Sequence, residues 1–180
     1  PSLYRAKKDR HPSVHCFPSS VDSRHFEAAR EAQLDHPAQA QLARPRIGFY
    51  GVIDERVDLA LLAGVADARP DWQLVMVGPV VKIDPAALPR RQNVHYFGQQ
   101  RYEDLPAFVA GWDVCMLPFA INESTRHISP TKTLEYMAAG KPIVSTAVAD
   151  VVRNFTPIVK VARSHDGFVA AARSAASCPE

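Results

Sequence analysis

The sequence has few cysteines, no long apolar run and almost no net charge, and each of these absences excludes a class of protein. Its 180 residues include 3 Cys, at positions 16, 115 and 178, without the close spacing of a disulfide framework or a zinc site. No apolar stretch reaches the length of a membrane span. Lys and Arg total 21 against 19 Asp and Glu, which is too even to indicate a nucleic acid as partner. A globular protein of the reducing cytosol is the expectation that remains.

Short apolar runs alternate along the chain with amphipathic stretches. The runs are rich in branched residues and too continuously apolar for strands with one face in water. They cover residues 47–51, 72–77, 94–97, 114–117, 143–145 and 158–161. Apolar residues at helical spacing cover 57–68, 103–110, 131–139 and 166–176. This alternation predicts an α/β fold with a doubly wound, mainly parallel sheet of about six strands and helices on both faces.

The first 45 residues follow a different pattern and are expected to lead into the sheet from a preceding domain. Residues 14–17 are predicted as a short strand that ends at Pro18. A helix is predicted over 24–32 with Ser23 or Asp22 as its cap, followed by a loop over 36–45. Residues 46–180 are then expected to form the main domain, with its carboxyl-terminal end cut short.

The most informative segment runs from residue 118 to 146, where a polar loop follows the fourth strand. Ser129 is a favourable N-cap and Pro130 suits the first position of a helix. Gly140 suits a left-handed C-cap, and Pro142 prevents the helix from continuing. The segment therefore predicts a helix that begins just beyond the carboxyl end of a strand, where open α/β sheets bind ligands.

A helix start in this place favours a phosphate group. The N–H groups of Thr131, Lys132 and Thr133 are expected to point outward at the positive end of the helix dipole. Lys132 and Arg126 are candidates for charge-assisted contacts to the phosphate. Glu135, further along the helix, is a candidate acceptor for a pair of sugar hydroxyls. The alternative is that Ser129 is only a cap and Glu135 only a solvated helix residue.

Six landmarks in order resemble one known family across residues 12–170. They are the stretches 17–26, 47–51, 69–78, 93–98, 113–118 and 135–146. Their order is similar to that of the nucleotide-sugar-binding C-terminal domain of a GT-B retaining glycosyltransferase of the family "glycosyl transferase group 1". The resemblance implies transfer of a sugar from a nucleoside diphosphate donor to an acceptor hydroxyl.

The resemblance also implies roles for individual residues around the diphosphate. Thr131 and Lys132 would stabilise it, with Arg56 as a second cation, and Glu135 would bind the ribose. His127 stands where the family carries the first acid of a Glu-x7-Glu motif, and Ile128-Ser129-Pro130 replaces its usual Gly-Phe-Gly. These departures leave the identity of the donor sugar open.

The remaining roles that the resemblance implies lie around the sugar and the base. His127 and Ser129 would face the sugar, and His127 joins Lys132 and Arg56 as a candidate catalytic residue. Gly51 would form the first glycine turn, and the turns at Gly78 and Gly98 would flank the base.

The expected substrate is a UDP- or GDP-type sugar, with no further cofactor. No Asp-x-Asp motif and no ligand-spaced histidine cluster is present, so a metal is not expected. A glycan or lipid-linked acceptor would bind a separate N-terminal domain, and the chain alone is expected to transfer nothing. The full protein would be cytoplasmic or peripheral to a membrane.

Two alternatives stay open at this point. The altered motif at His127 is compatible with a non-catalytic nucleotide-binding or assembly module that keeps the GT-B fold. A GT-B epimerase or phosphorylase is a third candidate. A nicotinamide enzyme is disfavoured because Gly48 and Gly51 lack the rest of the dinucleotide fingerprint.

Overall fold

The computed structural model describes residues 2–31 and 33–177; Cys178 lies outside these ranges. The strands are β1 (Arg46–Tyr50), β2 (Gln73–Val77), β3 (Val94–Tyr96), β4 (Val114–Leu117), β5 (Ile143–Thr146) and β6 (Lys160–Ala162). They form a sheet in the order β3-β2-β1-β4-β5-β6, in which every neighbouring pair is parallel. Each strand lies within two residues of a predicted apolar run. The six predicted strands of the sheet are therefore confirmed.

Helices cover both faces of the sheet, as predicted. They are α1 (Ser2–Lys7), α2 (Ser23–Glu27), α3 (Leu59–Ala68), α4 (Leu105–Ala110), α5 (Lys132–Ala138), α6 (Ala149–Phe155) and α7 (His165–Ala176). Helix α3 packs against α7, and α2 packs against α4 and α5. Because the crossovers β1–β2 and β4–β5 run in opposite directions, their right-handedness places α3 and α5 on opposite faces. None of these helices combines the length and the apolarity needed to cross a bilayer.

The two central strands, β1 and β4, are buried throughout. All five residues of β1 are buried, and Cys115 in β4 is fully buried beside them. Trp112, also fully buried, packs flat against Gly48, where an added Cβ would stand 1.8 Å from the indole. Any larger residue at position 48 would displace the indole, so the glycine in this central strand is a packing requirement.

A buried polar network fixes the loop before β1 to the amino edge of the sheet. The guanidinium of Arg46 pairs with Asp35 (2.7 Å), and the Gln39 amide donates to both Asp35 (2.8 Å) and the Phe108 carbonyl (2.9 Å). Trp112 donates its indole N–H to Gln39 (3.0 Å). Burial alone would raise the pKa of Asp35, but the hydrogen bonds from Arg46 and Gln39 outweigh it and lower that pKa. The loop is thereby part of the folded core.

The first 30 residues depart from the prediction in two ways. The strand predicted over 14–17 is wrong: these residues pair with neither edge of the sheet, and Phe17 is 90% exposed. Pro12 and Pro18 flank the segment, and proline disfavours extension of a strand ladder. The helix predicted over 24–32 begins at Ser23, with Asp22 accepting the capping bond, and continues as a 3-10 helix over Ala28–Arg30, while residue 32 lies outside the described ranges.

Helix α6 was not anticipated from the sequence. Its seven residues ADVVRNF contain two adjacent β-branched residues and show no clear helical spacing. Fully buried Asp150 in its first turn accepts two bonds from the Ser2 N–H (2.9 and 3.1 Å) and pairs with Arg153 (3.1 Å). The bonds from Ser2 join positions far apart in the sequence, so the pattern of apolar residues gave no indication of them.

Candidate functional site

The turns after β1, β2 and β3 meet at the carboxyl edge of the sheet. The Gly51 N–H donates to the Val77 carbonyl (2.8 Å), and the Gly78 N–H donates to the Gly98 carbonyl (2.7 Å). Gly51 and Gly78 both have a φ of 141°, which side chains rarely tolerate. A Cβ on Gly78 would stand 2.0 Å from the Gly51 carbonyl oxygen. The structure therefore brings the three predicted glycines together in a closely packed backbone surface.

Helix α5 begins beside this surface, but two residues later than predicted. Thr131 occupies the N-cap position and makes no side-chain capping bond. The prediction of Ser129 as N-cap with Pro130 in the helix is wrong, because Thr133 donates its N–H to the Pro130 carbonyl (3.2 Å) in a preceding turn. Within the described ranges, the N–H groups of Thr131 and Lys132 meet no acceptor, whereas that of Thr133 is used.

The carboxyl end of α5 agrees with the prediction. Gly140 has a φ of 70° and donates its N–H to the Met137 carbonyl (3.0 Å), while the Lys141 N–H donates to the Tyr136 carbonyl (3.1 Å). This pair of bonds is a Schellman motif. The short helix is thus held at its far end, which fixes the position of its first turn.

The side chain of Lys132 lies across the Gly51 turn. A Cβ on Gly51 would stand 2.4 Å from Lys132 Cε, so a larger residue there would displace the end of the lysine side chain. The ammonium nitrogen lies 5.6 Å from the centroid of the Tyr50 ring and 6.0 Å from that of Phe49. Two aromatic faces and a glycine turn therefore hold the cation at the carboxyl end of β1.

Among residues 2–31 and 33–177, the ammonium of Lys132 has no counter-ion. In the part of the chain that the structure describes, no carboxylate lies within ion-pair distance of it. Burial lowers the pKa of Lys132; nearby Glu135 opposes this effect and nearby Arg56 reinforces it. A partly desolvated, unpaired cation of this kind favours binding of an anion.

Glu135 lies in the first turn of α5, three residues after Lys132. The Tyr50 hydroxyl donates to one of its carboxylate oxygens. Burial raises the pKa of Tyr50 well above its ordinary value, and the neighbouring Tyr136 and Glu135 add to the increase. The phenol therefore stays protonated and remains a donor to Glu135.

Arg56 is near Lys132, but its charge is shared with a partner. Its guanidinium forms a two-pronged pair with the buried carboxylate of Asp54 (2.7 and 3.0 Å). This bonding raises the pKa of Arg56. The Arg56 carbonyl accepts the N–H of Ala120 (2.8 Å), which ties the loop after β1 to the loop after β4. Arg56 is thus firmly placed, although Asp54 already compensates its charge.

His127 and Ser129 are less closely connected to this cluster. The Nδ1 atom of His127 is buried and has no hydrogen-bond partner among residues 2–31 and 33–177. The hydroxyl of fully buried Thr133 is in the same condition. Ser129 is exposed, and no described hydrogen bond joins it or His127 to Lys132. Over the same residues, no three His, Cys, Asp or Glu side chains converge on a metal position.

Two contributors to the site were missed by sequence reasoning. Sequence reasoning assigns no role at the site to Tyr50 and does not pair Asp54 with Arg56. The two-residue spacing of Asp54 and Arg56 was a usable signal for a local ion pair. No signal in the sequence could place Tyr50 against Glu135, because 85 positions separate them.

A groove of about 600 Å³ lies at the opposite, amino-terminal edge of the sheet, with Arg30, Arg44 and Gly140 in its lining. Its arginines already have partners. Arg30 donates to the Ala138 carbonyl (2.8 Å), and Arg44 pairs with Asp113 (2.5 Å). The carboxyl edge, with its unpaired ammonium, is therefore the better candidate for an anionic ligand.

The chain is similar to known proteins over most of its length. The sequence profile of the family described as "Glycosyl transferases group 1" matches residues 44–177. TuaH of Bacillus subtilis (strain 168), named as a candidate glycosyltransferase of teichuronic acid biosynthesis, is 26% identical over 149 residues, which cover 81% of this chain and 37% of TuaH.

Solved structures share the fold of this chain. Sucrose-phosphate synthase from Thermosynechococcus elongatus superposes with a TM-score of 0.63 at 21% identity, over 96% of this chain and 47% of its own. HepE from Anabaena, solved in complex with UDP and glucose, superposes with a TM-score of 0.62 at 13% identity, over 86% of this chain and 44% of its own. The chain spans less than half the length of each of these relatives.

Proposed function

The chain belongs to the glycosyl transferases of group 1, and we propose that it is the donor-binding part of an enzyme that moves a sugar from a nucleoside diphosphate to an acceptor hydroxyl. The fold is the Rossmann-like half of the GT-B architecture. In such a sheet, ligands bind outside the carboxyl ends of the strands, at the point where the strand order reverses. Here that point lies between β1 and β4, where α5 begins.

The observation that carries the proposal is the unpaired ammonium of Lys132 above the Gly51 turn. The unused N–H groups of Thr131 and Lys132 are close to it in the chain. A diphosphate bound there would satisfy all three groups at once. The glycines leave no side chain between the ligand and the backbone.

The same groups would assist the chemical step. When the bond between sugar and diphosphate breaks, negative charge develops on the departing phosphate oxygens. A preorganised donor at such a position contributes roughly 3–4 kcal/mol in comparable sites. Lys132 and the free N–H groups would supply this stabilisation without a metal, and Arg56 would add a smaller share because it is paired with Asp54.

The ribose, base and sugar of the donor would lie along the carboxyl edge of the sheet, where other residues would contact them. Glu135, partly exposed in the first turn of α5, would accept the ribose hydroxyls. The turns at Gly78 and Gly98 would flank the base, and His127 and Ser129 would face the sugar.

The names of the relatives support a class of donor and a class of acceptor for the proposed enzyme. HepE was solved with UDP and glucose, which supports a UDP- or GDP-type donor. TuaH is named for teichuronic acid biosynthesis, which supports a polysaccharide or lipid-linked acceptor, bound by a further domain of the complete enzyme. That enzyme would be cytoplasmic or peripheral to a membrane.

One observation favours a second candidate. His127 replaces an acid that the family commonly uses, and its buried Nδ1 lacks a partner in the described structure. A module that keeps the fold and has lost catalysis would tolerate such a change.

A titration with UDP, GDP and ADP tests the donor site, and a sugar-transfer assay on the complete enzyme distinguishes the transferase from a module that has lost catalysis. The transferase predicts saturable binding of at least one of them, and this binding should be weakened in both Lys132→Ala and Glu135→Ala. Lys160→Ala is the matched control. Lys160 lies on the distant edge strand β6, and its ammonium donates to the Ser174 hydroxyl. Absence of binding to all three nucleotides would reject the donor site.

A further inference from the structure

Resting on the proposed function, we propose that Tyr50 is a positioning residue whose hydroxyl holds the Glu135 carboxylate away from Lys132, which keeps the two charges available to separate parts of the donor. The cation would then serve the diphosphate and the carboxylate would serve the ribose.

The starting observation is an ion pair that does not form. Lys132 and Glu135 are three residues apart on α5, a spacing at which opposite charges on a helix attract each other. Within the described ranges, neither residue takes part in an ion pair. Glu135 instead accepts the Tyr50 hydroxyl, while the ammonium lies 5.6 Å from the centroid of the same ring.

Tyr50 is held rigidly enough for this role. It is the last residue of β1 and is 6% exposed. Its N–H donates to the Tyr136 hydroxyl (3.2 Å), and its ring lies edge-on to Tyr136 (5.3 Å between centroids) and parallel to Phe26 (6.0 Å). A ring fixed on these sides directs its hydroxyl to one place, and burial keeps that hydroxyl protonated because it raises the pKa of Tyr50.

The bond engages one oxygen of Glu135 and leaves the other without a described partner. That free oxygen can accept a ribose hydroxyl. Without the Tyr50 hydroxyl, the carboxylate loses its fixed position and the nearest cation on its own helix is Lys132. The resulting ion pair would neutralise the charge intended for the diphosphate.

The test measures the titration of Lys132 directly, by the NMR shift of its labelled Cε against pH. The groups that face the ammonium are Glu135 on its own helix, Arg56 from the loop after β1, and Tyr50 from β1. Tyr50→Phe should raise the pKa of Lys132, because the released carboxylate approaches it. The same substitution in a Glu135→Gln background should leave that pKa unchanged.

Tyr96→Phe is the matched control, since it removes a half-buried hydroxyl that bonds to the Pro89 carbonyl (3.2 Å). Affinity for UDP and GDP is measured on the same proteins. We expect Tyr50→Phe to lower the affinity for the tighter-binding nucleotide by about tenfold, in keeping with the loss of one hydrogen bond to a charged group. We expect Tyr96→Phe to leave both affinities unchanged.

The outcomes separate the two proposals. If the pKa of Lys132 is unchanged in a folded Tyr50→Phe variant, the positioning role is refuted. It is also refuted if Tyr50→Phe changes that pKa equally in the wild-type and the Glu135→Gln backgrounds. If the wild type binds neither nucleotide, the proposed function fails, and the titration still decides the role of Tyr50. Should Tyr50→Phe not fold, Glu135→Gln decides: because the carboxylate is held away from the ammonium, its removal should lower the pKa of Lys132 only slightly. A fall as large as the loss of a direct ion pair produces would overturn the idea.

Discussion

Replacing Lys132 with methionine removes the ammonium and keeps an unbranched side chain across the Gly51 turn. Because burial lowers the pKa of Lys132, the charge is unfavourable in the unliganded chain, so Lys132→Met should melt at the same temperature as the wild type or higher. With a nucleoside diphosphate present the order should reverse, since only the wild type has a cation for the phosphates. This reversal distinguishes a binding residue from a structural one.

The size of the effect follows from the geometry. Opposite charges about 4 Å apart attract by about 4 kcal/mol at the effective dielectric constant of a protein surface, while mutational data for hydrogen bonds to charged groups give about 1.5–3 kcal/mol. The N–H groups of residues 131 and 132 remain in the variant and still bind the phosphates, so the smaller value, about 1.5–3 kcal/mol, applies. It corresponds to a loss of affinity of roughly 10- to 150-fold.

Thermal unfolding with and without UDP or GDP measures this loss. A ligand at 100 times the wild-type Kd adds about 2.7 kcal/mol, or about 5–11 °C in Tm for a chain of this size. A variant weakened by about 30-fold would keep about 0.9 kcal/mol at the same concentration, a shift of about 2–3 °C. Lys160→Met should keep the full shift. Equal shifts in the wild type and in Lys132→Met would refute the assignment of the ammonium to the diphosphate.

Three further predictions follow from the same site. Glu135→Gln should weaken the binding of UDP or GDP by about tenfold and leave the binding of inorganic pyrophosphate unchanged in calorimetry, because the carboxylate serves the ribose. Equal losses of affinity for the nucleotide and for pyrophosphate would contradict that role. In urea unfolding, Gly78→Ala should lower the free energy of unfolding more than Gly98→Ala does, because, of these two glycines, only Gly78 meets a backbone oxygen. Gly98→Ala should lower it by about 1–2 kcal/mol, and similar losses for both variants would contradict the packing of the turns. The stability of the wild type relative to Lys132→Met should rise as pH increases from the lowered folded pKa of Lys132 toward its unfolded value of 10.5, because the unfolded chain then binds more protons; a difference independent of pH would show that the ammonium is not desolvated.

The fold was largely predictable because its signals are local. Strands buried on both faces must be apolar throughout, so β1 to β6 stand out as runs between turn residues. Gly140 fixed the end of α5 by its own conformational preference. The strand expected over 14–17 failed because an extended apolar run becomes a strand only if a sheet edge accepts it, and this one pairs with neither edge.

The site was predictable only in part, for a physical reason. Lys132 and the glycine turns follow from the position of α5 after a strand and from residues that permit close approach of the backbone. The start of α5 was misplaced because Thr133 bonds to the Pro130 carbonyl, which takes residues 130 and 131 out of the helix. Tyr50 could not be assigned, since its contact with Glu135 depends on how two distant elements pack.

A nucleotide titration followed in the amide NMR spectrum of the whole chain tests the central claim most directly. We predict that UDP or GDP shifts the N–H signals of Gly51, Thr131 and Lys132 saturably and with one common Kd. Saturable shifts confined to the amino-terminal edge, around Arg30 and Gly140, or the absence of saturable shifts with either nucleotide, would contradict it.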